Sequence, residues 1–420
     1  MRRSAHSKRG PVFTAETRRA RRKRGEEQRE NPKKFSPRLL CALRVSAVSI
    51  LFALILALPL GAQSLVCRDG RCERTIYGTG PATTRLRIRA HGPVTLEGGA
   101  SNNLSYVVSV KVNARTEAEG RRTLQQFAVR TESLGGWTVI SMPGGAALTT
   151  VTVKTPKLLG ASIFTSDGAV DVSGVDGPVE VESGAGPLRA DRIHGDCRLM
   201  TGGGNIQIGQ VGGALRCTTG AGQITVRSVR GEAVLETQGG DITVTDAAGE
   251  VRADTGGGGV HIVRAGGLVS ATSGGGEIVV DRAGGIVTAR NMAGPVEVGA
   301  AAGVRCESAS GGVRLRNISG SMNVSTSLGS IIAILLGSRL GNSYLATANG
   351  DITVLIPSNV GVNIQAQNKM ADTLRRIVSD FPGIQARRQG NLVVAEGAVN
   401  GGGALLQISG TGGTIFIKKQ

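Results

Sequence analysis

The hydrophobic positions between residues 160 and 303 recur with a period of eighteen residues, in eight consecutive segments without a gap. In these segments apolar residues favour places 2, 4, 11, 13 and 16, Ser or Thr recurs at place 6, and glycine recurs at places 9 and 18. Two neighbouring segments are DCRLMTGGGNIQIGQVGG and ALRCTTGAGQITVRSVRG. Alternation with a period of two predicts β-strands, so each segment predicts two short strands separated by Gly-rich corners.

One such segment buries too little apolar surface to be stable alone. When successive segments stack in parallel, about 4.8 Å apart, equivalent side chains lie above one another and form a continuous core. Three looser segments follow at 304–320, 321–341 and 342–359, which gives about eleven coils. The sequence therefore predicts an all-β protein whose main domain, residues 160–359, is a parallel β-solenoid.

The stretch Thr201–Gly209, TGGGNIQIG, has the glycine content of a phosphate-binding loop. Such a loop needs a helix N-terminus after the glycines, whereas the residues after Gly204 alternate like a strand. No Gly-Lys-Ser/Thr sequence occurs in the chain. We therefore expect these glycines to form a corner of a coil, where they permit positive φ and close approach of neighbouring backbones.

A column of small polar residues accompanies the corners at place 6: Thr165, Ser183, Thr201, Thr219, Thr237, Thr255, Ser273 and Asn291. Each is expected to hydrogen-bond the backbone of its own corner or of a neighbouring one, which is a structural role. Cys197, Cys217 and Cys306 fall at inward places. Cys197 and Cys217 are diagonal neighbours about 7 Å apart or more, so we predict free buried thiols.

Less regular strands flank the repeats and are predicted to cap the open ends of the stack. The N-terminal cap spans 85–159 with one helix at Thr116–Phe127, and the C-terminal cap spans 360–420 with a helical turn at Met370–Ser379. The apolar run Ile331–Leu336, IIAILL, lies in an enlarged coil. It is either extra core in a bulge or a subunit or membrane contact, and short apolar runs are usually interior.

Composition and charge characterise the core and distinguish the N-terminal residues from the rest of the chain. The chain of 420 residues has 64 glycines and 3% aromatic residues, which indicates a core of Val, Ile, Leu and Ala. Of the net charge of +18, a net +11 lies in residues 1–44, a basic leader predicted to be disordered. An apolar run, Val45–Leu58, and small residues at Ala62–Ser64 follow. Residues 45–66 are therefore predicted to be a signal peptide or, if uncleaved, a transmembrane anchor helix.

Residues 67–84 are predicted to be a linker, which begins with CRDGRC. In an oxidising envelope compartment, Cys67 and Cys72 can form a small local disulfide. A zinc site would need two further ligands, and none lies nearby in the sequence.

Several passages resemble one protein family. GDITV at Gly240–Val244 and Gly350–Val354, the passage VLIPSNVGVNIQ, and the ending EGAVNGGGALLQISGTGGTIFIKK are similar to the bacterial putative-adhesin family of unknown function labelled DUF4097, over about residues 85–419. The resemblance implies a β-solenoid of the cell envelope that follows a signal or membrane segment. The family carries no catalytic residues, so the resemblance implies none here.

The sequence contains no recognisable catalytic, cofactor or metal constellation. The four histidines, His6, His91, His194 and His261, lack metal-ligand spacing, and no GxSxG nucleophile motif occurs. We therefore predict a protein without cofactor, metal or enzymatic activity.

One outward column is the candidate binding surface. Place 3 holds Arg198, Arg216, Val234 and Arg252 in successive coils. Stacked arginines repel one another unless an anion lies across them, so the column predicts contact with acidic glycan, lipid head groups or nucleic acid. Glu236 and Asp254 lie nearby at place 5. The alternative is therefore that these carboxylates screen the arginines, so that the column is a solvated set of weakly paired charges without a ligand.

Together these features predict an exported, non-enzymatic β-solenoid of the bacterial cell envelope with a structural, adhesion or binding role. Its body would lie in the periplasm or outside the cell. Its partner would be an anionic glycan, lipid head groups or another envelope protein, and association with further copies of the chain is an additional alternative. No specific nucleic-acid partner is expected, because most of the basic charge precedes the apolar run. The alternatives are a membrane-anchored sensing or regulatory partner, a bactofilin-like filament and, least favoured in a chain with one Trp, a polysaccharide-acting enzyme.

Overall fold

The computed structural model describes residues 65–68, 71–145, 147–336, 340–370 and 372–420. The predicted basic leader 1–44 and residues 45–64 of the predicted signal or anchor lie outside the described residues. Leu65 and Val66, the last two residues of that predicted segment, belong to a strand. Within the described part, no helix is long and apolar enough to cross a membrane.

The described residues before the repeats form eight strands and one helix. They are β1 (Leu65–Arg68), β2 (Arg71–Gly80), β3 (Arg85–Ala90), β4 (Val94–Glu97), β5 (Leu104–Asn113), α1 (Glu117–Gln126), β6 (Arg130–Leu134), β7 (Trp137–Ser141) and β8 (Leu148–Lys154). The predicted helix is confirmed, and Thr116 caps its N-terminus by accepting a hydrogen bond from the N–H of Glu119.

The repeats form eleven coils of two strands each, as predicted. The first strands of the coils are β9 (Gly160–Thr165), β11 (Val179–Ser183), β13 (Cys197–Thr201), β15 (Leu215–Thr219), β17 (Ala233–Thr237), β19 (Val251–Thr255), β21 (Val269–Ser273), β23 (Ile286–Asn291), β25 (Gly303–Ser310), β27 (Met322–Leu328) and β29 (Ser343–Asn349). The second strands are β10 (Val170–Val175), β12 (Leu188–Ile193), β14 (Ile206–Val211), β16 (Ile224–Val229), β18 (Ile242–Ala247), β20 (Val260–Ala265), β22 (Ile278–Ala283), β24 (Val296–Val298), β26 (Val313–Arg316), β28 (Ile331–Ile334) and β30 (Ile352–Ile356).

Six further strands and one short helix follow the repeats. They are β31 (Val362–Asn368), a 3₁₀ turn at Leu374–Arg376, β32 (Ile377–Ser379), β33 (Arg387–Gln389), β34 (Leu392–Val399), β35 (Ala404–Gly410) and β36 (Ile415–Lys419). The 3₁₀ turn lies within the predicted helical turn 370–379 and is shorter than that prediction.

The coils stack in parallel and produce two sheets with one core between them. First strands pair with first strands to form sheet 1, and second strands pair with second strands to form sheet 2. The register advances by eighteen residues, so that Cys197 lies beside Leu215 and Ile206 beside Ile224. Apolar residues at the inward places of both sheets are almost completely buried. The predicted parallel β-solenoid is therefore confirmed.

Both caps extend the two sheets beyond the repeats with strands that are out of chain order. At the N-terminal end, β3 and β4 pair in parallel with β9 and β10, and β7 and β8 pair in parallel on their other side. Antiparallel β6 then ends sheet 1, and antiparallel β5, β2 and β1 end sheet 2. At the C-terminal end, β35 and β36 pair with β29 and β30, and β31 and β32 lie beyond them.

Residues 67–84 differ from the predicted linker. Residues 71–80 form the ten-residue strand β2, which pairs antiparallel with β5. Cys67 and Cys72 face each other in the β1–β2 hairpin, with their Cα atoms 4.1 Å apart, and are joined by a disulfide. Pairing with β5, more than twenty residues further along the chain, orders a segment whose own sequence resembles a loop.

The three remaining described cysteines are free and buried, as predicted. Burial raises the pKa of the Cys197 and Cys306 thiols to about 12, and it raises the pKa of Cys217 as well. A thiol in this state is not a nucleophile, so these cysteines act as small apolar core residues.

The place-6 column bonds the corners together, as predicted. Thr201 Oγ1 donates to the carbonyl of Gly186 at 2.9 Å and accepts from the N–H of Gly204 at 3.3 Å. Thr219, Thr237 and Thr255 repeat the same two bonds one coil further on each time. One hydroxyl therefore closes its own corner and ties it to the preceding coil.

Replacing Thr201 by valine should lower the free energy of unfolding by about 1–3 kcal/mol, because the side chain keeps its shape but both corner bonds are lost. Urea and thermal unfolding measure the effect. Thr201→Ser should stay close to the parent protein, and Thr225→Val, at an exposed outward place, should change stability by no more than about 0.5 kcal/mol. Equal effects at positions 201 and 225 would contradict the role of the corner hydroxyl.

Adjacent glycines of the same corner provide a second test. A Cβ on Gly204 would overlap the backbone carbonyl of Gly186 in the preceding coil, whereas a Cβ on Gly203 would meet no atom within 4 Å. Gly204→Ala should therefore destabilise the protein by about 1–3 kcal/mol or more, while Gly203→Ala should be neutral or slightly stabilising. Urea and thermal unfolding measure both effects. Similar free energies of unfolding for the two variants would refute close backbone stacking at the corner.

Candidate functional site

The candidate arginines lie on the outer face of sheet 1. Register pairing places one residue of each successive strand in a single column: Arg87, Ser162, Glu180, Arg198, Arg216, Val234 and Arg252. Inward neighbours on the same strands, such as Leu199 and Cys217, are buried. Because strand side chains alternate between faces, the core fixes the outward direction of each column residue.

Arg198 and Arg216 occupy directly neighbouring positions on β13 and β15 and are both exposed. Among the described residues, neither guanidinium has a carboxylate within 4.0 Å. Arg198 Nη2 donates only a weak hydrogen bond, at 3.5 Å, to the Met200 sulfur. Two like charges thus stand side by side with their hydrogen-bond donors available.

Arg252 is in a different state from the other two predicted arginines. Val234, which is 8% exposed, separates it from Arg216 along the column. Its Nε lies 2.9 Å from Asp254 Oδ2, and this hydrogen bond raises the pKa of the Arg252 guanidinium above its usual value. The structure therefore brings Arg198 and Arg216 together and places Arg252 in an intrastrand ion pair, with Glu236 adding a weaker attraction.

An open groove of about 470 Å³ runs across the N-terminal part of this face. It is lined by Arg198 and Arg216 and also by Arg87, Trp137, Pro178 and Val234. The groove thus contains both candidate arginines with free donors, and it excludes Arg252 from its lining.

Trp137, the single Trp of the chain, lies at one end of the groove. The Arg87 and Arg85 guanidinium carbons lie 5.0 Å and 5.9 Å from the centroid of its ring. Gly160 lies beside the ring edge, and a Cβ there would be 3.7 Å from it. Cation–π contact with two arginines therefore holds a half-buried aromatic surface at a fixed place.

Carboxylates accompany the arginines in the groove. Glu180, Asp196 and Glu232 belong to its lining, and Asp196 Oδ1 accepts a hydrogen bond from the N–H of Ala214 at 2.8 Å. Arginine forks, carboxylate acceptors and an aromatic surface together suit a ligand that carries hydroxyl groups as well as negative charge.

Sequence reasoning missed Trp137, Arg85 and Arg87 as members of the site. They lie on β3 and β7, and β3 joins the stack through pairing of Leu86 with Ala161, far along the chain. The eighteen-residue period begins only at residue 160, so it could not predict this contact. The alternating sequence RLRIR was the only local signal of an outward basic face.

Perturbed carboxyls elsewhere in the described residues do not assemble into a second site. Burial raises the pKa of Asp171 on β10, although Arg189 acts in the opposite direction. Hydrogen bonds from Lys157 and His194, at 2.9 and 2.5 Å, lower the pKa of Asp176, which lies half-buried in a corner. Over the ranges that the structure describes, no three His, Cys, Asp or Glu side chains could hold a metal ion together.

The chain matches no protein-family model and no curated protein. The family label DUF4097 therefore remains a prediction from the sequence motifs.

Three crystal structures align with the chain at low identity. A putative adhesin from Bacteroides fragilis is 14% identical, with 70% of this chain and 97% of that chain covered and a TM-score of 0.27. A putative cell adhesion protein from Clostridium sporogenes is 10% identical, with 83% and 100% covered and a TM-score of 0.19. A putative adhesin from Parabacteroides distasonis is 10% identical, with 67% and 96% covered and a TM-score of 0.29.

Proposed function

We propose that the chain is an exported, non-enzymatic β-solenoid of the cell envelope that binds an anionic glycan in the groove on sheet 1. The observation that carries this proposal is the pair Arg198 and Arg216, adjacent, exposed and without a carboxylate partner, in one groove with Trp137. The solenoid acts as the rigid scaffold that fixes their spacing.

The electrostatics of the pair favour an anionic ligand. Two exposed guanidiniums on neighbouring strands repel each other, and an anion that bridges them removes the repulsion and accepts several charge-assisted hydrogen bonds. Arginine presents its donors in a planar fork that fits carboxylate and sulfate groups. A bridging acidic group is therefore the best complement to Arg198 and Arg216.

The carboxylates distinguish a glycan from a nucleic acid. Glu180, Asp196 and Glu232 line the same groove as Arg87, Arg198 and Arg216, so positive and negative formal charges balance there. A nucleic acid presents a continuous row of phosphates, which these carboxylates would repel. An acidic glycan carries isolated charges among hydroxyl groups, and the hydroxyl groups can donate to the carboxylates.

The edge strands at both ends of the stack disfavour the filament alternative. Among the described residues, the outermost strands are β6 and β33 on sheet 1 and β1 and β32 on sheet 2, with five, three, four and three residues. Strand β33 carries Arg387 and Arg388 on an exposed edge. Short, charged edge strands oppose the edge-to-edge pairing that a head-to-tail polymer requires. The membrane-anchored alternative depends on residues 45–64, which lie outside the described part.

Arg198→Ser and Arg216→Ser should each weaken binding to an acidic glycan about tenfold, because each removes charged hydrogen bonds from the groove. Purified full-length chain is titrated with acidic and neutral glycans of matched length, and the fluorescence of Trp137, the chain's single Trp, reports occupancy of the groove. Arg252→Ser is the matched control and should change affinity less than about twofold, since Asp254 already pairs with this arginine. Unchanged affinity in the first two variants, or equal loss in all three, would overturn the groove as the binding site.

Export is tested independently of binding. Cell fractionation followed by sequencing of the mature N-terminus should find the body of the chain in the envelope fraction, because the apolar run Val45–Leu58 follows a basic flank. Cleavage after the small residues near 62–64 would identify a signal peptide, and an intact N-terminus in the membrane fraction would identify an anchor. A soluble cytoplasmic product that starts at Met1 would refute export.

A further inference from the structure

A group of strands at the C-terminal end of sheet 2 is apolar on both faces. Strands β28, β30 and β36 have the sequences IIAI, ITVLI and IFIKK. Their inward residues, such as Ile331, Ile352 and Ile415, are buried in the core like those of every other coil. Their outward residues, however, are also largely apolar, which is typical of a strand covered on both sides.

The register gathers these outward residues into one surface. Ile332 lies beside Thr353, Thr353 beside Phe416 and Phe416 beside Val378, while Ile334 lies beside Leu355. Leu336 continues the alternation beyond β28 and is 45% exposed, and Val378 is 39% exposed. We call this surface the C-terminal apolar face; it consists of Ile332, Ile334, Leu336, Leu355, Phe416 and Val378.

The fold itself does not require apolar residues at these outward places. The column that contains Ile332 holds an apolar residue, Val279, in only one of the earlier coils of sheet 2 from β10 to β26. The other coils have polar or charged residues there: Asp171, Arg189, Gln207, Thr225, Thr243, His261, Glu297 and Arg314. Threonine is therefore compatible with the place. The change from polar to apolar residues near the end of the stack points to a surface that contacts something outside the coil.

Cationic side chains border the face on two sides. Arg314 and Arg316 on β26 lie beside Ile332 and Ile334, and Lys418 lies beside Leu355. The Lys418 Nζ atom is 5.1 Å from the centroid of the Phe416 ring. Arg316 is paired with Glu297, whereas Arg314 and Lys418 have no carboxylate within 4.0 Å among the described residues. The border thus carries positive charge that the chain does not fully neutralise.

The size and charge of the face decide which occupant it fits. Strands β28, β30 and β36 contribute two or three outward residues each and β32 contributes one, Val378. At a strand spacing of about 4.8 Å they cover roughly 300 Å². A stable protein–protein interface needs about 800 Å² on each partner, so this face is too small to hold a second copy by itself. A second copy would also bring the same cationic border against itself. An apolar patch with a basic border instead matches the interface of an anionic lipid surface.

We propose that the C-terminal apolar face docks on an anionic lipid surface. Ile332, Ile334, Leu355 and Phe416 enter the boundary between head groups and acyl chains, and Arg314 and Lys418 contact the anionic head groups. The groove lies on the other sheet and is formed by strands near the N-terminal end of the stack. One molecule can therefore hold the lipid surface and the groove ligand at the same time.

The test places a fluorescent reporter in the face of the full-length chain. In a W137F background, the F416W substitution makes position 416 the single Trp, so its emission reports only on this face. We expect a blue shift and strong quenching by vesicles that contain brominated anionic lipid. The parent chain, whose Trp137 lies in the groove, should show no such quenching. This local readout is independent of any membrane attachment by residues 45–66.

Substitutions to the residue of earlier coils test the contribution of the face. Ile332→Thr with Leu355→Thr, in the reporter background, should lower the partition into anionic vesicles about tenfold. Val263→Thr with Val279→Thr, at outward places on β20 and β22, is the matched control and should leave the partition unchanged. Arg314→Gln with Lys418→Gln should lower the preference for anionic over zwitterionic vesicles, because these two residues carry the positive charge of the border. Circular dichroism and melting curves confirm that each variant is folded.

Three results would overturn the proposal. The first is emission at position 416 that does not respond to lipid. The second is equal partition into anionic and purely zwitterionic vesicles, which would remove the role of the cationic border. The third is a blue shift that depends on protein concentration without vesicles, which would identify a second copy of the chain as the occupant. None of these results bears on glycan binding in the groove, so each proposal can be refuted without affecting the other.

Discussion

The parallel pairing of each coil with the next, at a register of eighteen residues, is the constraint on which the rest of the molecule depends. To keep that register, every corner must bring its backbone against the corner of the preceding coil, where Gly204 leaves no room for a side chain. The freed backbone groups still need partners, and Thr201 supplies one to its own corner and one to the preceding coil. The Gly-rich sequence is thus a requirement of stacking.

The same constraint separates the residues that hold the fold from the residues that are available for function. Inward places are committed to the core, and corners are committed to stacking, so only the outward places of the two sheets can vary without loss of register. The chain uses this freedom differently at its two ends. Near the N-terminal end, sheet 1 carries Arg198, Arg216 and the Trp137 ring, and near the C-terminal end, sheet 2 carries Ile332, Leu355 and Phe416. The regular stack between them fixes the separation of the two surfaces.

The sequence predicted the parts of the fold that depend on neighbouring coils and missed the parts that depend on distant ones. Thr201, Cys197 and the strand register follow from the eighteen-residue period, because each contact lies one coil away. Strand β2 was predicted to be a linker, since its partner β5 lies outside the period. Trp137 and Arg87 were missed for the same reason. The ion pair that separates Arg252 from the other arginines depends on side-chain geometry, which a column of residue types does not specify.

The caps explain why the outward faces, and not the ends, are the surfaces left for binding. A parallel solenoid that simply stopped would expose a full row of unpaired backbone groups on both sheets. At the N-terminal end, β3 and β4 pair with the first coil, and β7 and β8 then pair on the outer side of β3 and β4. At the C-terminal end, β35 and β36 lie between the last coil and the earlier strands β31 and β32. Antiparallel strands therefore end both sheets at the N-terminal end and sheet 1 at the C-terminal end. Leu124 and Phe127 are buried and cover apolar surface next to β2. Because the outermost strands of the described residues are antiparallel or, for β32, three residues long, growth by parallel stacking is disfavoured. A partner therefore gains most contact along the sheets, where residue types change from coil to coil while the backbone does not.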